Sequence, residues 1–270
     1  MKPSAVQAIS IPLGRPTIVL APAVPALPGF HLECRLSPHR LGARWLARQG
    51  GAVFLACHIE RPPAGLTPDD AEEALRRLCR FSHPHSAGVS DIRRDGRAGI
   101  WIISPHCGAR EGPLTLARLL AAKPGAEFDE LEAVFAVRSL LEALSAARAF
   151  GAPHGLLRLD EVLVHRHGRL LIDLLGVERA LTRQAPDGPS EARAEARAVA
   201  AIACELLTGV PPLDAPALTP IRTLGRAWAQ WLTRGLEPEP GGFSSVEEAL
   251  AATPDPLNPS RRRRPRIFGR

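Results

Sequence analysis

An aspartate at the end of a short apolar hairpin is the residue of this sequence best placed to do chemistry. The stretch 154–176 reads HGLLRLDEVLVHRHGRLLIDLLG. Its pattern predicts strands over 162–164 and 170–172, joined by a turn in which Gly168 takes a positive φ. Asp173 follows the second strand directly. A carboxylate there, downstream of a loop opened by a histidine, indicates a site that faces a cation or a phosphate.

This stretch resembles the catalytic loop and metal-binding motif of the protein kinase family, in which H-R-D-L-K-P-E-N-I-L-V is followed by L-I-D-F-G. His154 and Asp173 coincide with the family's histidine and metal-binding aspartate. Leu156 falls on the catalytic aspartate, Arg158 on the lysine and Glu161 on the metal-binding asparagine. The resemblance implies that the frame of the site is kept while its catalytic base is lost.

The resemblance implies a few candidate roles for the acids of this stretch. Asp173 and Glu161 are the candidate ligands of Mg²⁺, and Asp160 is the candidate for an unconventional base. Arg158 is placed to contact a γ-phosphate. The alternative is that Asp173, Glu161 and Arg158 form a salt-bridge cluster at the surface. The sequence leaves both alternatives open.

The elements ahead of this site are predicted to be mainly strands. Alternating and apolar patterns indicate strands over 30–36, 43–49 and 52–60, and a further one over 99–104. Between them, Thr67-Pro-Asp-Asp predicts the start of a helix that runs to about Phe81. The residues after Ser104 resemble the hinge between the two lobes of the kinase family.

The phosphate-binding features of the kinase small lobe are mostly missing. In the family a glycine-rich turn covers the nucleotide phosphates, because glycines let backbone N–H groups approach them closely. Here only Gly42 is kept, since Ser37 and His39 occupy the first two glycine positions. The phosphate-gripping lysine of the third strand is also absent, and Ala56 and Cys57 are the nearest positions.

The remainder of the chain predicts a helical large lobe. Helices are indicated over 114–120, 129–150, 218–236 and from Ser244 onward, where Ser-x-x-Glu is a capping box. Before the third of these, Glu205-Leu-Leu-Thr-Gly209 closely resembles a kinase motif, with Glu195 in the place of the family's aspartate. The family's A-P-E substrate shelf is missing.

Charge and cysteine usage narrow the class of protein. The formal net charge is +6, and the last ten residues alone carry six arginines, so the body is formally neutral. The tail Arg261–Arg270 is a candidate contact for nucleic acid or anionic lipid, and a merely solvated terminus is the equal alternative. The five cysteines lack C-x-x-C spacing, and the histidines fit no zinc signature. With no signal peptide or membrane anchor apparent, a cytoplasmic protein is expected.

Together these observations predict an α+β protein with a two-lobed protein-kinase-like fold. A small antiparallel β-sheet lobe would precede a mainly helical large lobe, as in degenerate bacterial serine/threonine-kinase-like domains. The expected parts are a proline-rich N-terminal arm over residues 1–29 and the small lobe over 30–107. The large lobe, with a shortened activation segment, follows over 108–256, and a basic disordered tail over 257–270.

The expected function is that of a catalytically inactive kinase-like domain, a pseudokinase, that serves as a binding, scaffold or regulatory module for a protein partner. Residual binding of ATP and Mg²⁺ is left open, with Gly42, Ala56, Ser104 and Asp173 as the candidate nucleotide-binding residues. The alternative is an atypical ATP-dependent serine/threonine protein kinase with a non-standard active site.

Overall fold

A five-stranded antiparallel sheet forms the first half of the protein in the computed structural model, which describes residues 25–108, 112–182, 188–212, 221, 224–238 and 241–255. The sheet order is β1-β2-β3-β5-β4. The strands are β1 His31–His39, β2 Gly42–Gln49, β3 Ala52–Ile59, β4 Asp91–Arg94 and β5 Ile100–Pro105. The four predicted strands are confirmed. The edge strand β4 was not predicted, because its sequence DIRR has one apolar residue and shows no alternation.

The register of the sheet decides which side chains face the rest of the molecule. Arg44 pairs with Cys57 in β2 and β3, and Cys57 pairs with Ile102 in β5. Directly opposite residues point to the same face. The intervening residues point to the other face, where Ala47, Ala56, Trp101 and Ile103 form an apolar cluster with Leu27.

The end of the predicted N-terminal arm covers that outer face. Leu27 is buried in the cluster, and the indole N–H of Trp101 donates to the carbonyl of Ala26 at 3.0 Å. Phe30 packs edge-on against Phe54 at a ring distance of 5.4 Å. The first 24 residues of the arm and the tail from residue 257 lie outside the described residues.

The second half of the protein is mainly helical and surrounds one hydrophobic core. Its longest helices pack against each other through alanine and leucine side chains. The helices are α1 Pro68–Leu78 in the first half, then α2 Leu116–Ala122, α3 Glu130–Ala149, α4 Val177–Thr182, α5 Pro189–Thr208, α6 Arg226–Leu236 and α7 Val246–Ala252. No helix among these is long and apolar enough to cross a bilayer.

Local sequence signals set most helix starts. The Thr67 side chain accepts from the backbone N–H of Asp70, so the predicted cap of α1 is confirmed, although α1 ends three residues before Phe81. Asp129 and Glu132 form a reciprocal capping box at the start of α3. The Ser245 side chain accepts from the N–H of Glu248 at α7.

A two-stranded sheet of β6 Val162–Val164 and β7 Leu170–Ile172 lies between the two halves. The predicted hairpin is confirmed, and Gly168 has a φ of 78°. Its residues Leu163 and Leu171 share a buried cluster with Leu46 of β2 and Leu55 of β3. The two halves of the protein are therefore joined by an apolar interface directly beneath the sheet.

Candidate functional site

Asp173 lies where the sequence predicts it, at the end of β7, and it faces the cleft between the sheet and the helical half. Its side chain is buried and accepts a hydrogen bond from the guanidinium of Arg44 in β2. Its backbone N–H donates to the carbonyl of Glu161 at 2.8 Å. The carboxylate therefore already has a cationic partner from the opposite side of the cleft.

Glu161 is held in a similar way by a different arginine. It ends the 3₁₀ turn Leu159–Glu161, is buried, and accepts a hydrogen bond from the Arg40 guanidinium. The Nε2 atoms of His39 and His154 lie 3.4 and 3.6 Å from its two oxygens. Burial by itself would raise the pKa of Glu161, but donors and charge from His154, His39 and Arg40 outweigh it and hold the pKa well below its usual range.

The turn between β1 and β2 brings Arg40 to this position. His39 and Gly42 close the turn as the last pair of the β1–β2 ladder, and the His39 Nδ1 atom accepts from the N–H of Leu41 at 3.2 Å. The second contact of Arg40 is with Glu178 in α4. The turn that would cover nucleotide phosphates in the kinase family is therefore fastened to two elements of the large lobe.

The candidates for a catalytic base do not converge on this site. Leu156, in the place of the family's catalytic aspartate, has 64% of its surface exposed. Asp160 is exposed and pairs with the side chain of its neighbour Arg158 at 3.0 Å. The Arg158 backbone N–H donates to Glu161, whereas its side chain points away to Asp160.

The alternative of a salt-bridge cluster of Asp173, Glu161 and Arg158 at the surface is not what the structure shows. Asp173 and Glu161 are buried, and each is paired with an arginine of the small lobe instead of with Arg158. The reason is that the sheet closes over the hairpin and supplies cations that are distant in sequence.

A buried glutamate organises the loop that precedes the site. One oxygen of Glu195 accepts the backbone N–H groups of His154 and Gly155 at 2.7 and 2.9 Å, and the other accepts from Arg148 at 2.8 Å. The Nδ1 atom of His154 accepts a hydrogen bond from the backbone N–H of Gly176 at 3.4 Å, which ties the start of the loop to the residues after Asp173. Glu195 therefore fixes the backbone at the start of this loop from helix α5.

The predicted nucleotide-binding residues are not all on the cleft. Ala56 points to the outer face, packed with Trp101, so the register corrects its assignment. Leu55 and Cys57 are the residues of β3 that line the cleft. A side chain at Gly42 would meet the carbonyl oxygen of His58 at 2.0 Å, so this glycine is required for close strand packing. Ser104 lines the cleft and is buried, and within the described residues its hydroxyl has no hydrogen-bond partner.

The cleft itself is small. The space in it that a water molecule could occupy is about 0 Å³, and Arg44, Leu55, Cys57, Ile102, Ser104, Asp173 and Leu174 line it. Ligand pockets in proteins usually measure about 300–1,000 Å³. Burial, together with the nearby Asp173, raises the pKa of the Cys57 thiol to about 12, so it stays protonated.

These features do not fit a bound nucleotide with Mg²⁺. The two carboxylates that would hold the ion are occupied by guanidinium groups, and Cys57 cannot supply the cation that a lysine would give. Nor do three or more histidine, cysteine, aspartate or glutamate side chains meet as metal ligands anywhere in the described part of the chain.

Solved structures supply the decisive comparison. The kinase domain of Mycobacterium tuberculosis PknI superposes with a TM-score of 0.64, covering 87% of this chain and 98% of that one at 21% identity. A mutant form of the same domain superposes with a TM-score of 0.65 over the same shares. The chain has a protein-kinase-like fold. The predicted two-lobed α+β architecture is thereby confirmed, and at this identity the likeness shows the fold alone.

Comparison of the amino-acid sequence itself gave no match, either to a protein-family model or to a curated protein. Within the kinase-like fold, Arg40 and Arg44 are the residues of the site that sequence reasoning missed. Arg44 lies in a predicted strand, where alternation tells only which face a residue takes, and Arg40 lies in the turn before that strand. Their partners, Glu161 and Asp173, follow 121 and 129 positions later in the chain.

Proposed function

We propose that this chain is a pseudokinase: a catalytically inactive kinase-like domain that serves as a binding, scaffold or regulatory module for a protein partner. Phosphoryl transfer needs the nucleotide phosphates and metal ions held and the acceptor hydroxyl oriented. The chain has a leucine, Leu156, where the base belongs and a cysteine, Cys57, on the cleft face of β3.

A single observation carries the proposal: both carboxylates at the metal positions are buried in ion pairs with arginines of the small lobe. An Mg²⁺ ion would have to displace Arg40 from Glu161 and Arg44 from Asp173. For the buried Arg44–Asp173 pair, removing one partner leaves an uncompensated charge, which costs about 3–5 kcal/mol. Nucleotide entry would also have to separate Leu55 from the hairpin residues Leu163 and Leu171, with which it forms a buried cluster between the lobes.

The test is a thermal-unfolding titration of the whole chain with ATP and Mg²⁺, beside a radiolabelled-ATP transfer assay with generic protein substrates. We expect no nucleotide-dependent rise in Tm and no transfer. Transfer by the wild-type chain that disappears in Asp173→Asn would overturn the proposal. A metal-dependent rise in Tm without transfer would instead identify a nucleotide-sensing pseudokinase.

An atypical ATP-dependent serine/threonine kinase is the second candidate, and the position of Arg44 favours it. Arg44 lies directly opposite Cys57 on the cleft face, so it offers a cation from β2 where β3 offers none. For this activity Arg44 would have to exchange Asp173 for a phosphate. Transfer that is lost in Arg44→Ala and Asp173→Asn, but kept in Arg158→Ala, would support this candidate.

A further inference from the structure

We propose that Arg40 and Arg44 are fixed counter-ions in the two positions where kinase-like folds hold divalent cations, and that they lock the small lobe onto the large lobe without a metal. The inference goes beyond the proposed function, because it concerns how the domain keeps its shape. It would hold equally for a domain that transfers phosphate once it is unlocked.

The first argument is charge balance. Glu161 and Asp173 bring two negative charges into a buried region, and each receives one guanidinium. Two fixed positive charges replace the two that a divalent ion would supply, so the two buried carboxylates are balanced without a metal. Glu178, which also contacts Arg40, is partly exposed to solvent. Guanidinium groups suit this role, because they are always charged and donate in a rigid fork.

The second argument is the position of the partners. Both arginines belong to the first two strands and the turn between them, and both acids belong to the loop and hairpin of the large lobe. Each ion pair therefore spans the cleft. Arg40 adds a third attachment through Glu178 of α4, a helix that follows Asp173 in the chain.

The third argument is the seal beneath the ion pairs. Leu46 and Leu55 of the sheet share one buried cluster with Leu163 and Leu171 of the hairpin. Opening the cleft would expose this apolar surface and separate both ion pairs at once. The ion pairs and the apolar contacts beneath them therefore oppose the same opening of the cleft, so the lock is cooperative.

The test uses Mg²⁺ alone as the probe and thermal unfolding as the readout. In Arg40→Ala/Arg44→Ala, both carboxylates lose their guanidinium partners. We expect this variant to have a lower Tm than the wild type and to regain several degrees in millimolar MgCl₂, because the ion binds the folded state. The wild type should show no rise in Tm. NaCl of matched ionic strength controls for screening.

Arg158→Ala is the matched control, because Arg158 is an arginine of the same site region whose side chain pairs at the surface with Asp160. We expect it to behave as the wild type does. An equal rise in Tm with Mg²⁺ for the wild type and the double variant would overturn the lock. So would a double variant that keeps the wild-type Tm and ignores Mg²⁺.

If the double variant does not fold, Arg44→Ala is compared with Arg44→Ala/Asp173→Asn. The second substitution removes the unpaired charge, so we expect it to raise the Tm of Arg44→Ala and to abolish any response to Mg²⁺. No recovery would overturn the lock. These outcomes are separate from the phosphoryl-transfer assay on the wild type, which tests the proposed function.

Discussion

The guanidinium of Arg44 and the carboxylate of Asp173 join β2 to the end of β7, although 129 positions separate the two residues in the chain. Both side chains are at least nine-tenths buried. This pair brings the one well-preserved metal-binding residue of the kinase pattern into contact with a cation of the protein itself.

Breaking this pair from the acidic side should be costly. We expect Asp173→Asn to lower the free energy of unfolding by about 3 kcal/mol, because it leaves Arg44 buried without its counter-charge. Asp160→Asn, which breaks the exposed pair with Arg158, should cost less than about 1 kcal/mol. Urea unfolding measures both, and equal losses would contradict the buried ion pair.

The buried cluster that joins Leu46 and Leu55 of the sheet to Leu163 and Leu171 of the hairpin should tolerate side-chain truncation poorly. Leu163 is fully buried, so Leu163→Ala should cost about 2–5 kcal/mol through lost apolar contact and the cavity left behind. Leu156→Ala lies on the preceding loop with most of its surface exposed, and it should change stability by less than about 0.5 kcal/mol. A small effect at Leu163 would mean that the two lobes are not packed together in solution.

Placing an acid at residue 156, where the kinase family has its catalytic aspartate, should not produce phosphoryl transfer. We expect Leu156→Asp to fold with nearly wild-type stability, because residue 156 is exposed, and to show no transfer of radiolabelled phosphate. The remaining obstacles are the paired carboxylates and the filled cleft, which this substitution leaves unchanged. Measurable transfer by Leu156→Asp would show that the missing base was the main defect.

The loop before the site should depend on the charge of Glu195. Glu195→Gln removes the negative charge that Arg148 contacts and weakens the acceptor of the His154 and Gly155 N–H groups, so we expect a loss of about 1–3 kcal/mol. Hydrogen exchange gives a local readout, because the amides of His154 and Gly155 should exchange faster than in the wild type. Unchanged exchange at these two amides would contradict the positioning role.

Acid should weaken the cap of the last helix. The Ser244 hydroxyl and backbone N–H, with Arg234 nearby, lower the pKa of Glu248 from its usual 4.5 to about 2. A lowered folded-state pKa gives stability that is present above the unfolded pKa and is lost as the pH falls through the folded one. Glu248→Gln should therefore be less stable than the wild type at neutral pH, with the difference shrinking between about pH 4.5 and 2. Thermal unfolding across that range measures it, and a constant difference would contradict the assignment.

Much of this protein could be predicted from the sequence, because the relevant signals are local. Alternation in β1, the apolar run of β3, the Thr67 and Ser245 caps, and the turn at Gly168 depend on neighbouring residues alone. Their order along the chain resembles that of the kinase family, and this order was enough to predict a two-lobed α+β fold. The leucine in the place of the kinase family's catalytic aspartate was also visible, since it needs only the identity of residue 156.

Only the tertiary structure decided which residues distant in the chain contact each other. Strand register selected Cys57 instead of Ala56 for the cleft, because a shift of one residue exchanges the two faces of a strand. Closure of the sheet onto the hairpin brought Arg40 to Glu161 and Arg44 to Asp173. No local pattern predicts such pairings, because the sequence around an arginine is the same whether its side chain faces water or a buried carboxylate.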